Sequence, residues 1–245
     1  MDARRKPMTM LIVGAGRGLG RALLEGLGQP GDSLIGVSRR RPETLALASG
    51  IDPQWIEADL AMPAQAVAQI AVQAPAELDV LICNVGIWEE HAFSEQYSFL
   101  GDSDKSIATL VDVNITATLL LLKRLVPRLL GSARPQLILT GSTSALRQSG
   151  RPEVAFGASK FALSGMADAL RESFRDQRLA VTVLQLGNLN ADDPLAMPLA
   201  EAATRGEGQL IPMHDVVTLV DALLRLSASS FVRELTLPAI RDQRF

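Results

Sequence analysis

Short apolar runs alternate with longer amphipathic stretches along the whole chain, and that alternation leaves few folds open. The runs are Met10–Val13, Ser33–Val37, Gln54–Glu57, Val80–Cys83, Gln136–Thr140, Ala180–Leu186 and Phe231–Leu237. Several are continuously apolar, the pattern of strands covered on both faces. Between them, helical spacing predicts helices over Leu19–Leu27, Pro63–Gln73, Ile107–Leu130, Ala158–Arg175 and Asp215–Leu226. Pro63 suits a first helical turn, where its missing N–H is no loss. In the fourth helix Phe161, Gly165, Met166, Ala169, Leu170 and Phe174 share one face. Repeated strand–helix alternation calls for parallel strands joined by right-handed crossovers. The expectation is an α/β fold: a doubly wound parallel sheet of about seven strands with helices on both faces.

Length and composition fit one such domain, spanning residues 1–245. No linker, repeat or low-complexity tract interrupts it. Nearly half the residues are apolar, enough to fill a core, and the formal charge is −3. That balance points to neither nucleic acid nor an anionic membrane as partner. Cys83 is the only cysteine; it excludes an internal disulfide and a cysteine-rich metal site, and reads as core packing. Residues 1–8, with Arg4-Arg5-Lys6, read as a flexible, solvated tail. Strand-like sequence begins within about ten residues, too soon for a secretory signal. No apolar run approaches the roughly 20 residues of a membrane span. The cytoplasm is the expected compartment. The stretch 187–212, rich in Gly, Pro and Asp up to Gly208, reads as an excursion above the sheet edge on the substrate side.

The first strand runs into Gly14-Ala15-Gly16-Arg17-Gly18-Leu19-Gly20, which opens a helix. Glycines let the backbone turn tightly and approach a pyrophosphate, and the helix N-terminus favours negative charge. A tight strand–helix loop alone would also use glycine; the position after the first strand favours a Rossmann-like nucleotide site. The end of the second strand selects the cofactor. A carboxylate there would accept from the ribose hydroxyls of NAD. This chain has Ser38-Arg39-Arg40-Arg41, with Arg17 inside the glycine turn. Arginine forks suit a 2′-phosphate, so NADP(H) is favoured over NAD(H), against the plainer reading of an exposed basic loop.

Phe156-Gly157-Ala158-Ser159-Lys160 resembles the active-site motif of the short-chain dehydrogenase/reductase family. Other short matches follow in order. The spacing of Gly14, Gly18 and Gly20 is that of the family's glycine turn. Asp59-Leu60 stands where the family contacts adenine. Asn84-Val85-Gly86 matches its Asn-Ala-Gly element, which supports the sheet and lines the cofactor. Asn114 stands at its structural and proton-relay asparagine. The resemblance covers nearly the whole chain. It implies cofactor contacts from Gly14, Arg17, Gly18, Leu19, Gly20, Arg39, Asp59, Leu60, Asn84, Gly86, Lys160, Gly187 and Leu189. It implies catalytic positions at Ser142, Phe156, Lys160 and Asn114, with Thr143 the alternative to Ser142. It also implies a small carbonyl or alcohol substrate and a homodimer or homotetramer.

Two departures matter. The family's catalytic tyrosine is here Phe156, which has no proton to give. After the sixth strand the family has Pro-Gly and then threonine; this chain reads Leu186-Gly187-Asn188-Leu189-Asn190, and Asn190 offers an amide partner instead. The only tyrosine, Tyr97, and one of two histidines, His91, lie between Trp88 and Lys105 beside the expected crevice. Both are candidate proton donors and equally ordinary loop residues. Trp88 and Phe93 offer an apolar wall for a flat substrate, and His214 has no assigned role. Two functions remain: an NADP(H)-dependent oxidoreductase with a non-standard active site, or an NADP(H)-binding relative without strong catalysis, serving as redox sensor, regulatory subunit or scaffold.

Overall fold

The computed structural model describes residues 5–243. Strands β1 (Thr9–Val13), β2 (Ser33–Ser38), β3 (Gln54–Glu57), β4 (Val80–Cys83), β5 (Gln136–Thr140), β6 (Ala180–Leu186) and β7 (Glu234–Leu237) form one sheet in the order β3-β2-β1-β4-β5-β6-β7. Every pairing is parallel. The chain winds from β1 outward to β3, returns to β4, and winds the other way. The direction switches between β1 and β4, where an open α/β sheet leaves a crevice at its carboxyl edge. Val13 pairs with Cys83, and Cys83 with Leu139. The segments beginning at Gly14 and Asn84 therefore leave the sheet level with the end of β5.

Helices α1 (Gly18–Leu27) and α7 (Met213–Arg225) cover one face, and α2 (Pro63–Gln73), α4 (Ala117–Leu129) and α5 (Val154–Ser173) the other. Alternate side chains of a strand point to opposite faces. Met10 and Ile12 thus pack with Leu23, Leu24, Val220 and Leu224, while Leu11 and Val13 pack with the layer of Leu121, Leu125 and Leu129. Cys83 lies in that second core, and burial pushes its thiol up to about 12.

Several expectations need correction. The helix expected over Ile107–Leu130 begins as α3 (Asp104–Val111), where Ser103 accepts from the Ser106 N–H as N-cap, and passes through a π-turn (Asp112–Thr116) into α4. The continuous stretch Asp104–Leu129 is, by length and composition, apolar enough to cross a membrane. Leu121, Leu122, Leu125 and Leu129 instead pack into the core against the sheet. Helix α5 begins four residues before the expected Ala158. The last strand starts at Glu234, not Phe231. Within the stretch 187–212 lies α6 (Leu199–Arg205), and Leu189 pairs with Ile211 in a parallel bridge. Arg5 is not a solvated tail residue, because its guanidinium grips Asp32 at 2.6 Å with both side chains buried. Arg4 lies outside the described residues.

Candidate active site

The first turn of α5 carries Phe156; two side chains from the β4–α3 loop answer free N–H groups of this turn, and the residue before the helix answers one in the loop. Helix starts leave such groups unpaired. Glu89, in the loop after β4, accepts from Phe156 N (2.9 Å), and the Tyr97 oxygen accepts from Val154 N (2.9 Å). Glu153, the residue before the helix, accepts from Phe93 N (2.9 Å). These bonds strap the β4–α3 loop across the tip of α5. The strap holds Phe93 at φ +66°, a region that costs a side chain about 1–3 kcal/mol. Phe156 is buried and meets Phe93 and Trp88 edge-to-face, with ring centroids 5.2 and 6.4 Å away. Burial raises the Tyr97 phenol above its ordinary range, and the nearby charges of Glu89, Asp102 and Glu153 add to the rise. His91 is exposed, and His214 in the first turn of α7 contacts the Leu195 carbonyl oxygen.

One turn along α5, Lys160 is buried and donates to the carbonyls of Val85 and Thr140, both at 2.9 Å. Those carbonyls lie at the carboxyl ends of β4 and β5. Burial lowers the ammonium from 10.5 to about 8. An ammonium has three donors, so one is left after these two bonds. Its Nζ stands 5.8 Å from the Phe156 ring centroid. Gly86 permits this placement: a Cβ there would lie 2.9 Å from Nζ.

Asn114 sits in the π-turn, buried. Its Oδ1 accepts from Ile87 N, and its Nδ2 donates to Ile87 O and to Ser159 Oγ, at 2.8, 2.8 and 2.9 Å. Ser159 Oγ in turn donates to Phe156 O. Both amide hydrogens are used, so this side chain clamps the Gly86–Ile87 backbone to α5. Ser142 caps a short 3-10 turn (Thr143–Ala145) and accepts from Ser144 N. Ser142 is half-buried; Thr143 is buried.

At the other end of the crevice, the glycines of the turn do different work. A Cβ on Gly14 would lie 2.1 Å from the Asn84 carbonyl oxygen, and one on Gly20 would lie 2.1 Å from the Gly14 carbonyl oxygen. These two are required by packing, with Asn84 wedged behind the turn. Gly18 has φ +52° and faces Ala191 of the 187–212 stretch. Helix α1, which it opens, has no side-chain cap and no acidic residue in its first turn. Leu19 points into the core. Arg17 and Arg39 are exposed and make no ion pair among the described residues, whereas Arg41 pairs with Asp52. Asp59 and Leu60 follow β3, and the Asp59 carboxylate accepts from Ala61 N. Gly187 donates to Leu237 O, and Asn190 Nδ2 to Asp193.

A family model described as short chain dehydrogenase matches residues 8–198. The chain belongs to the short chain dehydrogenase family. It is 32% identical over 190 residues to an uncharacterized oxidoreductase, YciK, of Escherichia coli, covering 73% of this chain and 72% of that one. It is 27% identical over 198 residues to an NADPH-dependent pterin aldehyde reductase of Arabidopsis thaliana, covering 75% and 76%. Its fold matches that of an alcohol dehydrogenase from the archaeon Thermococcus sibiricus with a TM-score of 0.78, over 98% of this chain and 99% of that one, at 18% identity.

This dehydrogenase is therefore an oxidoreductase by family, and its crevice fits a nicotinamide dinucleotide. The uncapped start of α1 matches a pyrophosphate, and the remaining Lys160 donor matches a ribose hydroxyl. Sequence reasoning passed over Glu89 and Glu153. Starting α5 at Ala158 hid Glu153's place at the helix entry, where a carboxylate complements the helix dipole. Nothing local marks Glu89, whose partner lies 67 residues away.

Proposed function

We propose that this dehydrogenase interconverts a small carbonyl compound and its alcohol with NADP(H), through an active site that works without the family's phenol. The carrying observation is Lys160: buried, placed at the strand ends by two carbonyls, and retained although Phe156 leaves it no tyrosine to tune. A buried ammonium is costly, and ribose binding is a reason to keep it. Bound NADPH supplies the hydride.

The residues divide the remaining work. Backbone N–H groups of Gly18, Leu19 and Gly20 meet the pyrophosphate, with Gly14 and Asn84 fixing the turn. The exposed forks of Arg17 and Arg39 take the 2′-phosphate, which is the basis for preferring NADP(H). Asp59 and Leu60 border the adenine; Gly86, Gly187 and Leu189 border the nicotinamide end. Ser142 donates to the substrate oxygen, and Asn114 positions the loop and helix on either side. The Tyr97 oxygen is engaged at Val154 N, and Phe156 leaves no phenol beside Lys160. This supports water as the proton source.

Phe156 itself favours a second reading, an NADP(H)-binding relative with weak or no turnover. Phe156→Tyr separates the two. It puts a phenol near the Lys160 ammonium, which lowers the phenol's pKa. Turnover of a carbonyl panel should rise at least about tenfold, within the span of general acid catalysis, with little change in NADPH affinity. A folded variant that binds NADPH and reduces nothing moves the assignment to the second reading. A fast wild type, unimproved by the substitution, would show that another group already supplies the proton.

A further inference from the structure

Among the described residues, three buried carboxylate oxygens have no hydrogen-bond partner: Oε2 of Glu89, Oε2 of Glu153 and Oδ2 of Asp102. All three belong to the junction of the β4–α3 loop with the tip of α5, and the charges of all three act on the phenol of Tyr97. Glu89 and Glu153 are only 1% and 3% exposed. Each spends its other oxygen on a backbone N–H.

Other buried carboxylates of this chain are answered by guanidinium groups, Asp32 by Arg5 and Asp242 by Arg151. No Lys, Arg or His forms an ion pair with Glu89, Glu153 or Asp102 among the described residues. A buried acceptor left unpaired is costly, so the junction has the chemistry of a cation site without its cation. A metal ion does not fit, because no group of three ligating side chains gathers closely enough among the described residues. The cover is aromatic: Trp88 and Phe93, 54% and 43% exposed, pack edge-to-face with centroids 5.9 Å apart. Aromatic rings attract organic cations.

We infer that this junction is a subsite for a positively charged amine carried by the substrate, with Glu89 and Glu153 as its specificity-determining residues. The ammonium gives a free oxygen of Glu89 or Glu153 the N–H donor it lacks, and Trp88 and Phe93 pack against its carbon substituents. A neutral hydroxyl satisfies one oxygen and leaves the charge unanswered. The inference rests on the reductase reading only in making the occupant a substrate.

The test is calorimetric titration of the full chain at neutral pH with benzylamine, a cation there, and with benzyl alcohol, its neutral counterpart. Each titration is run with and without saturating NADPH. Benzylamine should bind at least about tenfold more tightly, as expected for charge-assisted hydrogen bonds beside aromatic faces. Glu89→Gln and Glu153→Gln should each cut that preference at least about threefold and leave benzyl alcohol and NADPH affinities unchanged. If a Gln variant does not fold, Trp88→Ala, at a half-exposed ring, must still reduce the preference. Equal affinity for the two probes, or a preference that survives the substitutions, overturns the subsite. An amine preference in a protein that binds no NADPH keeps the subsite and overturns the cofactor reading instead.

Discussion

Replacing Lys160 by methionine tests the most strained electrostatic feature of the crevice. The two side chains have similar length, so the substitution removes charge and donors with little change in volume. Burial lowers the ammonium from 10.5 to about 8. At 1.36 kcal/mol per pKa unit, that is a penalty of about 3 kcal/mol on the charged native state. The folded protein binds fewer protons than the unfolded chain between pH 8 and 10.5, so stability rises with pH across that window. Below about pH 8 the whole penalty is present; above 10.5 it is gone. The bonds to Val85 O and Thr140 O contribute on both sides of the transition, because a neutral amine still has two N–H donors. Cys83, Tyr97 and every other titrating group are common to both proteins and cancel. Urea unfolding of wild type and Lys160→Met at pH 7.5 and at pH 10.5 should show the wild type gaining about 2–3 kcal/mol relative to the variant. A stability difference that stays constant over that range would refute the claim that Lys160 is a desolvated ammonium. A difference that moves the other way would mean that a nearby anion, not burial, sets its pKa.

Three further outcomes follow from the structure. NADPH should bind more tightly than NADH in calorimetric titrations, and Arg39→Ala should erase most of the difference; equal affinities in the wild type would end the NADP(H) assignment. Light scattering at micromolar concentration should show a dimer or tetramer, because Leu119 on α4 and Phe161 on α5 are each nearly half exposed, and covering apolar surface yields about 25 cal/mol per Å² before association costs; a monomer would refute that assembly. Gly14→Ala should prevent a stable fold, since its methyl would lie 2.1 Å from Asn84 O; a normally folded Gly14→Ala protein would show that Asn84 is not wedged behind the turn.

Sequence alone determined the sheet. Continuous runs such as Met10–Val13 and Val80–Cys83 have no polar face to show to water, so they must be covered on both sides, and their alternation with helices makes them parallel. The glycine turn was legible for the same local reason, because positive φ and close backbone approach leave few residue types possible. The corrections fall where the deciding partner is distant in sequence. Helix α5 starts at Val154 because Glu89 and Tyr97, from a loop more than fifty residues earlier, satisfy its first N–H groups. Arg5 is buried because Asp32 meets it across 27 residues. Asn114 was visible as a position, but its role as a clamp depends on Ile87 and Ser159. The unpaired oxygens of Glu89, Glu153 and Asp102 are properties of burial, and burial is set by what the rest of the chain packs above a side chain. Local periodicity specifies which residues form an element; only the tertiary structure decides which polar groups are left without a partner.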